Sequence, residues 1–155
     1  MATHPEADIQ DILALGQDMT LASLLPDGAP HASTVSYASE GLRIYFGCSP
    51  ASQKAQNLAR DDRVAITITL PYRDWGEIRG LTLQGRARRL PPGAEADRAG
   101  LLFLQKFSEI AQYVSTDGGD ELALFEVTPT NVAVLDYRQG FGHVTRTRLG
   151  ATAEA

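Results

Sequence analysis

A lysine near the start of a predicted helix is the most informative chemical feature of this sequence. Ser52 is a residue type that favours the N-cap position, and Lys54 falls in the first turn that follows it. That turn carries partial positive charge and unpaired N–H groups, so a cation there is best tolerated when an anion lies between them. Ser52, Gln53 and Lys54 could therefore bind a phosphate group. The alternative is a solvated surface lysine, whose unfavourable interaction with the helix costs roughly 0.3 kcal/mol.

A strand rich in hydroxyl groups is the second candidate for a binding surface. Because side chains alternate along a strand, residues 31–37 present two different faces. These faces are His31, Ser33, Val35 and Tyr37 on one side, and Ala32, Thr34 and Ser36 on the other. Neither face is a simple apolar core face, and small residues would let a flat polar ligand lie close to the backbone. An exposed polar strand face is the alternative interpretation.

One cysteine and three histidines limit the metal and redox chemistry that the chain could perform. Cys48 permits no internal disulfide, and without an accompanying base it is better explained as a small buried residue than as a nucleophile. His4, His31 and His143 are scattered along the chain and show no zinc-ligand spacing. We therefore predict neither a metal site nor covalent catalysis.

Composition indicates a single globular domain over residues 1–155, with its core at about residues 17–147. Hydrophobic residues make up 43% and charged residues 21%, which is typical of a folded protein rather than a disordered one. The net charge of −5 argues against general binding to nucleic acids or anionic membranes. Because the sequence shows no leader pattern and no apolar run near about 20 residues, we expect a cytoplasmic protein.

Hydrophobic spacing predicts a mainly β protein with flanking helices. Helices are predicted at residues 6–17, from residue 52, and at residues 94–114 with a break near residues 107–108. Strands are predicted at residues 19–25, 30–38, 42–47, 64–70, 77–90, 122–128 and 131–137. The first three strands should form a meander, Gly85 a bulge, and the residues after His143 a polar tail. Six or seven antiparallel strands of this kind favour a barrel, since closure removes exposed edges.

The order of these motifs resembles the pyridoxamine 5′-phosphate oxidase-like family of FMN-binding split barrels. A meander is followed by an aromatic residue and glycine, a loop into Ser-x-Lys-Ala-x-x-Leu, and an Asp-Asp-Arg-Val strand, over residues 19–90. The resemblance implies an antiparallel split barrel of Greek-key type. It also implies that Ser52, Gln53 and Lys54 bind the FMN phosphate, although many family members have an arginine at the position of Gln53. That departure removes a bidentate phosphate donor.

The resemblance also implies a set of flavin contacts. The isoalloxazine and ribityl groups would lie along Ala32, Ser33, Thr34, Val35, Ser36 and Tyr37, with Gly47 and Cys48 near the phosphate. Family oxidases place a flavin-contacting glutamine where this chain has Arg79 and Gly80, so Arg79 or Gln84 could replace it. Arg86 and Arg88 could form a phosphate or substrate patch, although charged strand faces are more often solvated.

Family members are homodimers with FMN between the subunits, so the resemblance implies a homodimer. The loop carrying Tyr72 and Trp75 could then cover the partner's flavin, or simply pack at the interface. The tail lacks the tryptophan and arginine residues with which true pyridoxamine phosphate oxidases hold flavin and substrate. We therefore expect an FMN-dependent oxidoreductase acting on another small molecule, with no catalytic residue assigned. His143 could act as an acid or be a surface residue.

Three alternatives stay open at this point. The chain could be a non-enzymatic flavin carrier or sensor, because no acid–base constellation is evident. It could bind or degrade haem, as some split barrels do, with His31 or His143 as an axial ligand. A deazaflavin could also replace FMN.

Overall fold

A computed structural model describes residues 5–112 and 122–149, which form an antiparallel sheet flanked by helices. The strands are β1 (Asp18–Leu24), β2 (Pro30–Ser36), β3 (Ala38–Glu40), β4 (Arg43–Cys48), β5 (Arg63–Thr69), β6 (Arg79–Arg89), β7 (Ala123–Asp136) and β8 (Val144–Arg148). The helices are α1 (Pro5–Leu15), α2 (Gln53–Arg60) and α3 (Ala94–Lys106). Short 3-10 turns lie at Trp75–Glu77, Ser108–Gln112 and Tyr137–Gln139.

The strand order is β2-β1-β5-β6-β7-β4-β3, and β8 pairs with β7. The first and last strands of this path, β2 and β3, are consecutive in the chain and are separated only by Tyr37. The sheet therefore returns to the point at which it started, which removes most of the exposed edge. This arrangement confirms the mainly β, antiparallel split-barrel prediction.

The predicted meander of the first three strands is wrong in its last step. β1 and β2 form the expected hairpin, in which Leu24 pairs with Pro30. The third predicted strand, β4, pairs with β3 and β7 instead of β2. The predicted strand at residues 30–38 in fact divides at Tyr37, and its last residue, Ala38, begins β3. The chain thus passes from β2, at one end of the strand order, to β3, at the other end, across the single residue Tyr37.

The C-terminal part also differs from the prediction. The two predicted strands on either side of Pro129 form the continuous strand β7, and residues 144–148 form β8 rather than a polar tail. Pro129 is accommodated at a bulge opposite Gly85, where the β6–β7 register shifts. A Cβ atom at Gly85 would lie 2.6 Å from the carbonyl oxygen of Thr128, so this bulge requires glycine. The broken third helix is confirmed as far as residue 112, and residues 113 and 114 lie outside the described residues.

The main core lies inside the sheet and is closed by α1. Ile9, Ile12 and Leu13 of α1 are fully buried there, and Phe46 stacks on Phe125 with ring centroids 5.0 Å apart. A second cluster packs α3 against the other side of the sheet. Its buried members are Ala38, Tyr45, Leu90, Ala99 and Phe103.

Asp136, at the end of β7, is held as a buried carboxylate. Asp136 is only 4% exposed, and both of its carboxylate oxygens accept hydrogen bonds of 2.8 Å from the Arg138 guanidinium. The hydrogen bond from the Arg138 side chain is the main reason that the pKa of Asp136 falls to about 2.

We expect this carboxylate to make the fold sensitive to acid. Because the pKa is about 2 when folded and near 3.8 when unfolded, its stabilisation is present above about pH 4 and is lost as the pH falls toward 2. Arg138 is 53% exposed, so screening reduces the contribution to about 1 kcal/mol. Urea unfolding between pH 2 and pH 7 should show a shallower acid loss in Asp136→Asn than in the wild type. The exposed turn variant Asp27→Asn should keep the wild-type profile, and an unchanged profile in Asp136→Asn would contradict this assignment.

Candidate functional site

The start of α2 presents unpaired backbone donors. Ser52 caps the helix: its Oγ accepts the N–H of Ala55 at 3.3 Å and donates to the carbonyl oxygen of Ser49 at 2.7 Å. The N–H groups of Gln53 and Lys54 have no hydrogen-bond acceptor among the described residues. Because such groups form a ready-made anion site, the helix start is suited to a phosphate.

Lys54 adds a full positive charge to this site. It is half-buried, and its ammonium group makes no ion pair with any residue that the structure describes. The first turn of α2 contains no acidic residue that could neutralise it. The amide of Gln53 lies 2.9 Å from that of Asn57 on the same helix, so Gln53 contributes chiefly through its backbone N–H. The site as folded therefore has unbalanced positive charge.

β2 carries two buried polar atoms, His31 Nδ1 and Ser33 Oγ, that have no hydrogen-bond partner among the described residues. His31 pairs with Ser23 and Ser33 with Leu21 in the β1–β2 register, so their side chains point to the inner face of the sheet. The Ser23 hydroxyl lies 3.0 Å from the Asn57 amide of α2, which places this end of β2 beside that helix. An unsatisfied buried polar atom costs about 1–3 kcal/mol, and a ligand that hydrogen-bonds here would recover that energy.

The other face of β2 is open. Ala32, Thr34 and Ser36 are exposed, and Val35 on the inner face is partly buried against the main core. The Ser36 hydroxyl donates to the carboxylate of Asp18 at 2.6 Å. The strand thus divides the five predicted residues of β2 between two faces: Ala32, Thr34 and Ser36 are open to solvent, while Ser33 and Val35 point inward.

The sixth residue, Tyr37, belongs to the core, which corrects the expected side-chain contact with a flavin. Its side chain is fully buried, and its hydroxyl donates to the carbonyl oxygen of Leu13 at 2.7 Å. The Lys106 ammonium donates to the Tyr37 carbonyl oxygen at 2.9 Å and lies 3.8 Å from the centre of the ring. Burial raises the pKa of the Tyr37 hydroxyl and lowers the pKa of Lys106 to about 8. Tyr37 therefore joins α1, α3 and the sheet.

Gly47 and Cys48 end β4, immediately before the loop that leads to Ser52. They pair with Leu124 and Ala123 of β7, and Cys48 is partly buried against the main core. Their position before the cap fits the predicted neighbourhood of the phosphate. The thiol is a free cysteine without a described hydrogen bond.

The three predicted residues of β6 lie in different environments. Arg79 is 13% exposed and forms an ion pair of 2.7 Å with Asp11 of α1, so its guanidinium holds helix to sheet. Gly80 lies against β5, where a Cβ atom would be 2.4 Å from the carbonyl oxygen of Ile68. Gln84 is exposed on the outer face, in the same cross-strand row as Ala65, Ala22 and Ala32. Of these three, Gln84 is the residue with a side chain available to a ligand.

Arg86 and Arg88 have carboxylate partners, which favours the solvated-face interpretation. Arg86 pairs with Asp62 at 2.5 Å, and Arg88 pairs with Glu95 and with the buried Glu126. His143 Nε2 lies 3.3 Å from the Thr145 hydroxyl. These contacts place neither the two arginines nor His143 at the start of α2, where Lys54 lies.

An exposed aromatic cluster lies where the turn at Trp75–Glu77 meets the turn at Tyr137–Gln139. Trp75 is 64% exposed and stacks on Phe141, which is 78% exposed, with ring centroids 6.0 Å apart. Tyr137 packs edge-on against Phe141 at 5.3 Å. The sequence indicated the loop containing Trp75 but not its contact with Phe141, because the two lie on separate turns.

Residues 5–112 and 122–149 contain neither a cluster of metal-ligating side chains nor a membrane-spanning helix. No three side chains among His, Cys, Asp and Glu gather there as a metal site. Within the same residues, no helix has the length and apolar character needed to cross a bilayer.

Comparison with known proteins places this geometry in a family. The sequence profile described as Pyridoxamine 5′-phosphate oxidase matches residues 6–136. A haem-binding protein from Mycobacterium smegmatis is 26% identical with a TM-score of 0.81, and the match covers 96% of this chain and 59% of that protein. A conserved hypothetical protein from Mycobacterium tuberculosis is also 26% identical with a TM-score of 0.76, covering 97% of this chain and 95% of that protein.

The haem storage protein HutZ from Vibrio cholerae shares the fold at 18% identity, with a TM-score of 0.67 over 82% of this chain and 91% of that protein. A search of curated protein sequences finds no match. Because the family profile covers most of the chain and the split-barrel topology agrees with it, this chain belongs to the pyridoxamine 5′-phosphate oxidase family.

Proposed function

We propose that this protein binds FMN, with the phosphate at the start of α2 and the flavin along β2. The observation that carries the proposal is the half-buried, unpaired Lys54 beside the unpaired N–H groups of Gln53 and Lys54. A phosphate dianion would neutralise the ammonium group and accept both hydrogen bonds. The capping contacts of Ser52 hold the helix start in the geometry that this requires.

The inner face of β2 supports the same ligand. His31 Nδ1 and Ser33 Oγ are buried and have no hydrogen-bond partner in the part of the chain that the structure describes, so a polar cofactor edge would satisfy them. Gly47 and Cys48 lead directly into the capping loop and would border the phosphate. When bound, FMN supplies hydride or electron transfer, while the protein supplies binding and orientation. The substrate would be a small molecule, and the protein would act as an oxidoreductase.

A homodimer fits the exposed aromatic cluster. Trp75 and Phe141 together present large apolar rings to solvent, which is unusual for an isolated monomer of ordinary composition. Aromatic residues are enriched in the centres of protein interfaces. We propose that this cluster packs on a second copy of the chain, next to the bound cofactor.

Replacing Lys54 by alanine tests the phosphate site. We expect FMN affinity to fall about tenfold or more, because one charge-assisted contact to the phosphate contributes about 1.5–3 kcal/mol. Riboflavin lacks the phosphate, so its affinity should be unchanged. Fluorescence titration of both flavins would measure the two constants. The matched control is Arg98→Ala, which removes an exposed cation of α3 that belongs to no proposed cofactor contact.

Two results would contradict the proposal. The phosphate would lie elsewhere if Lys54→Ala lowered the FMN and riboflavin affinities equally or lowered neither. The FMN assignment itself would fail if the wild-type protein bound no flavin.

Haem is the second candidate, favoured by the unpartnered His31 Nδ1 and by the haem-binding relative from M. smegmatis. Reconstitution with haem should then give a Soret band that His31→Ala removes and His143→Ala keeps. Absence of that band in the wild type would exclude this candidate. The flavin and haem spectra differ enough for one preparation to decide between them.

A further inference from the structure

Lys106 lies at the end of α3 and is fixed against the residue that joins β2 to β3. Its ammonium group donates a hydrogen bond of 2.9 Å to the carbonyl oxygen of that residue, Tyr37. The Lys106 nitrogen also lies 3.8 Å from the centre of the Tyr37 ring and 5.4 Å from the centre of the Phe107 ring. Tyr37 is fully buried, whereas Lys106 is half-buried. The amine is therefore held in one position beside two aromatic rings, while part of the residue stays accessible to solvent.

This lysine has no carboxylate in contact with its charge. Within residues 5–112 and 122–149, no ion pair includes the Lys106 nitrogen. Burial lowers the pKa of Lys106 from its ordinary value of 10.5 to about 8, and the more distant charge of Asp18 on β1 offsets only part of that effect. About half of the Lys106 side chains therefore carry a neutral amine at pH 8, against roughly 0.3% for a lysine of ordinary pKa.

The surroundings of Lys106 suit an acylated side chain. The neutral amine is the nucleophilic form of lysine, and burial is one way in which proteins activate it. An acylated lysine carries no charge, so the cost of burying an ammonium group disappears. It retains one N–H, which is enough for the Tyr37 carbonyl oxygen, and the acyl carbons add apolar surface beside the rings of Tyr37 and Phe107.

We propose that Lys106 is a modification site that takes acyl groups from small activated donors of the acyl phosphate class. The lone pair of Lys106 Nζ attacks the acyl carbonyl carbon, a C–N bond forms, and the C–O bond to the phosphate breaks. Phosphate leaves with that electron pair, and the amine releases one proton to water. No oxidant or reductant takes part. Lys106 belongs to no proposed FMN contact, so its acylation does not require the proposed function.

Incubation of the full chain with acetyl phosphate, followed by peptide mass spectrometry, tests the site. Lys54 and Lys106 are the two lysines of the sequence, so the variant Lys54→Arg leaves Lys106 as the one lysine that can be acetylated. At pH 8 we expect Lys106 to react about tenfold faster in the native chain than in the same chain unfolded in guanidinium chloride. The gain is smaller than the difference in neutral amine, because a less basic amine is also a weaker nucleophile.

The pH dependence of acetylation gives a readout that exposure alone would not move. In the native chain the rate should level off above about pH 8, where the amine is already largely neutral, whereas in the unfolded chain it should rise to about pH 10. Asp18→Asn removes the negative charge that favours the ammonium form, so the rate should level off at a lower pH. The exposed turn variant Asp27→Asn should keep the original profile.

Two results would overturn the proposal. Burial would protect Lys106 instead of activating it if the native chain reacted no faster than the unfolded chain at pH 8. Lys106 would be an ordinary lysine if the native rate kept rising to about pH 10 as the unfolded rate does. Either result leaves the FMN phosphate site standing, because the flavin titration of Lys54→Ala tests that site separately.

Discussion

Replacing Tyr37 by alanine is expected to lower the free energy of unfolding by about 4 kcal/mol, because a fully buried aromatic side chain is lost and a large cavity remains. The substitution also removes the hydrogen bond to the Leu13 carbonyl oxygen and the ring beneath the Lys106 ammonium. Both contacts connect helices to the point where β2 ends and β3 begins. Urea unfolding followed by circular dichroism would measure the loss.

The variant Tyr37→Phe separates the core role from a cofactor role. It keeps the ring and removes the hydroxyl, so stability should fall by only about 1–2 kcal/mol, the cost of leaving the Leu13 carbonyl without its donor. FMN affinity should equal that of the wild type. If Tyr37→Phe kept its stability but lost flavin, the hydroxyl would face the cofactor and the core assignment would be wrong.

Local chemistry explains what the sequence could predict. The start of α2 was predictable because N-capping by Ser52 depends on residues within one helical turn. The alternation of side chains along a strand also predicts correctly that Tyr37 lies on the same face as His31, Ser33 and Val35. The bulge at Gly85 is marked by a glycine inside a strand pattern, and the structure confirms it.

Pairing between distant segments explains what the sequence could not predict. The residues of β4 show strand character, but nothing in them indicates that their partner is β7, nearly eighty residues later. No glycine or proline marks the division at Tyr37 between β2 and β3. The polar composition of residues 144–148 favours a tail, although the alternation of threonine with Arg146 and Arg148 is a strand signal.

The candidate sites show the same division. The predicted phosphate residues lie together because they are adjacent in sequence. Arg79 and Gln84 belong to one predicted set, yet they differ by five positions on a strand and so point to opposite faces. Arg79 consequently reaches Asp11 of α1, while Gln84 lies on the outer face of the sheet opposite Ala65. Only the tertiary structure shows that these two residues of one predicted set have different partners and environments.

Replacing Gly80 by alanine is the second substitution with a large expected effect, and it distinguishes a packing role from the predicted flavin contact. The added Cβ atom would lie 2.4 Å from the carbonyl oxygen of Ile68, which is backbone and cannot rotate away. Either the β5–β6 pairing between Thr69 and Gly80 opens or the strands shift, so we expect a loss of about 3 kcal/mol. Urea unfolding of the apoprotein would measure it without any ligand.

Gly100→Ala is the matched control, because it adds the same methyl group to a glycine in α3 with no heavy atom within 4 Å of the new Cβ. Alanine favours a helix interior over glycine, so this variant should gain about 0.5–1 kcal/mol. Opposite signs for the two substitutions would show that the close approach of β5, rather than a bound flavin, requires glycine at position 80. If Gly80→Ala instead kept wild-type stability and lost FMN affinity, the glycine would serve the cofactor and the strand contact would be incidental.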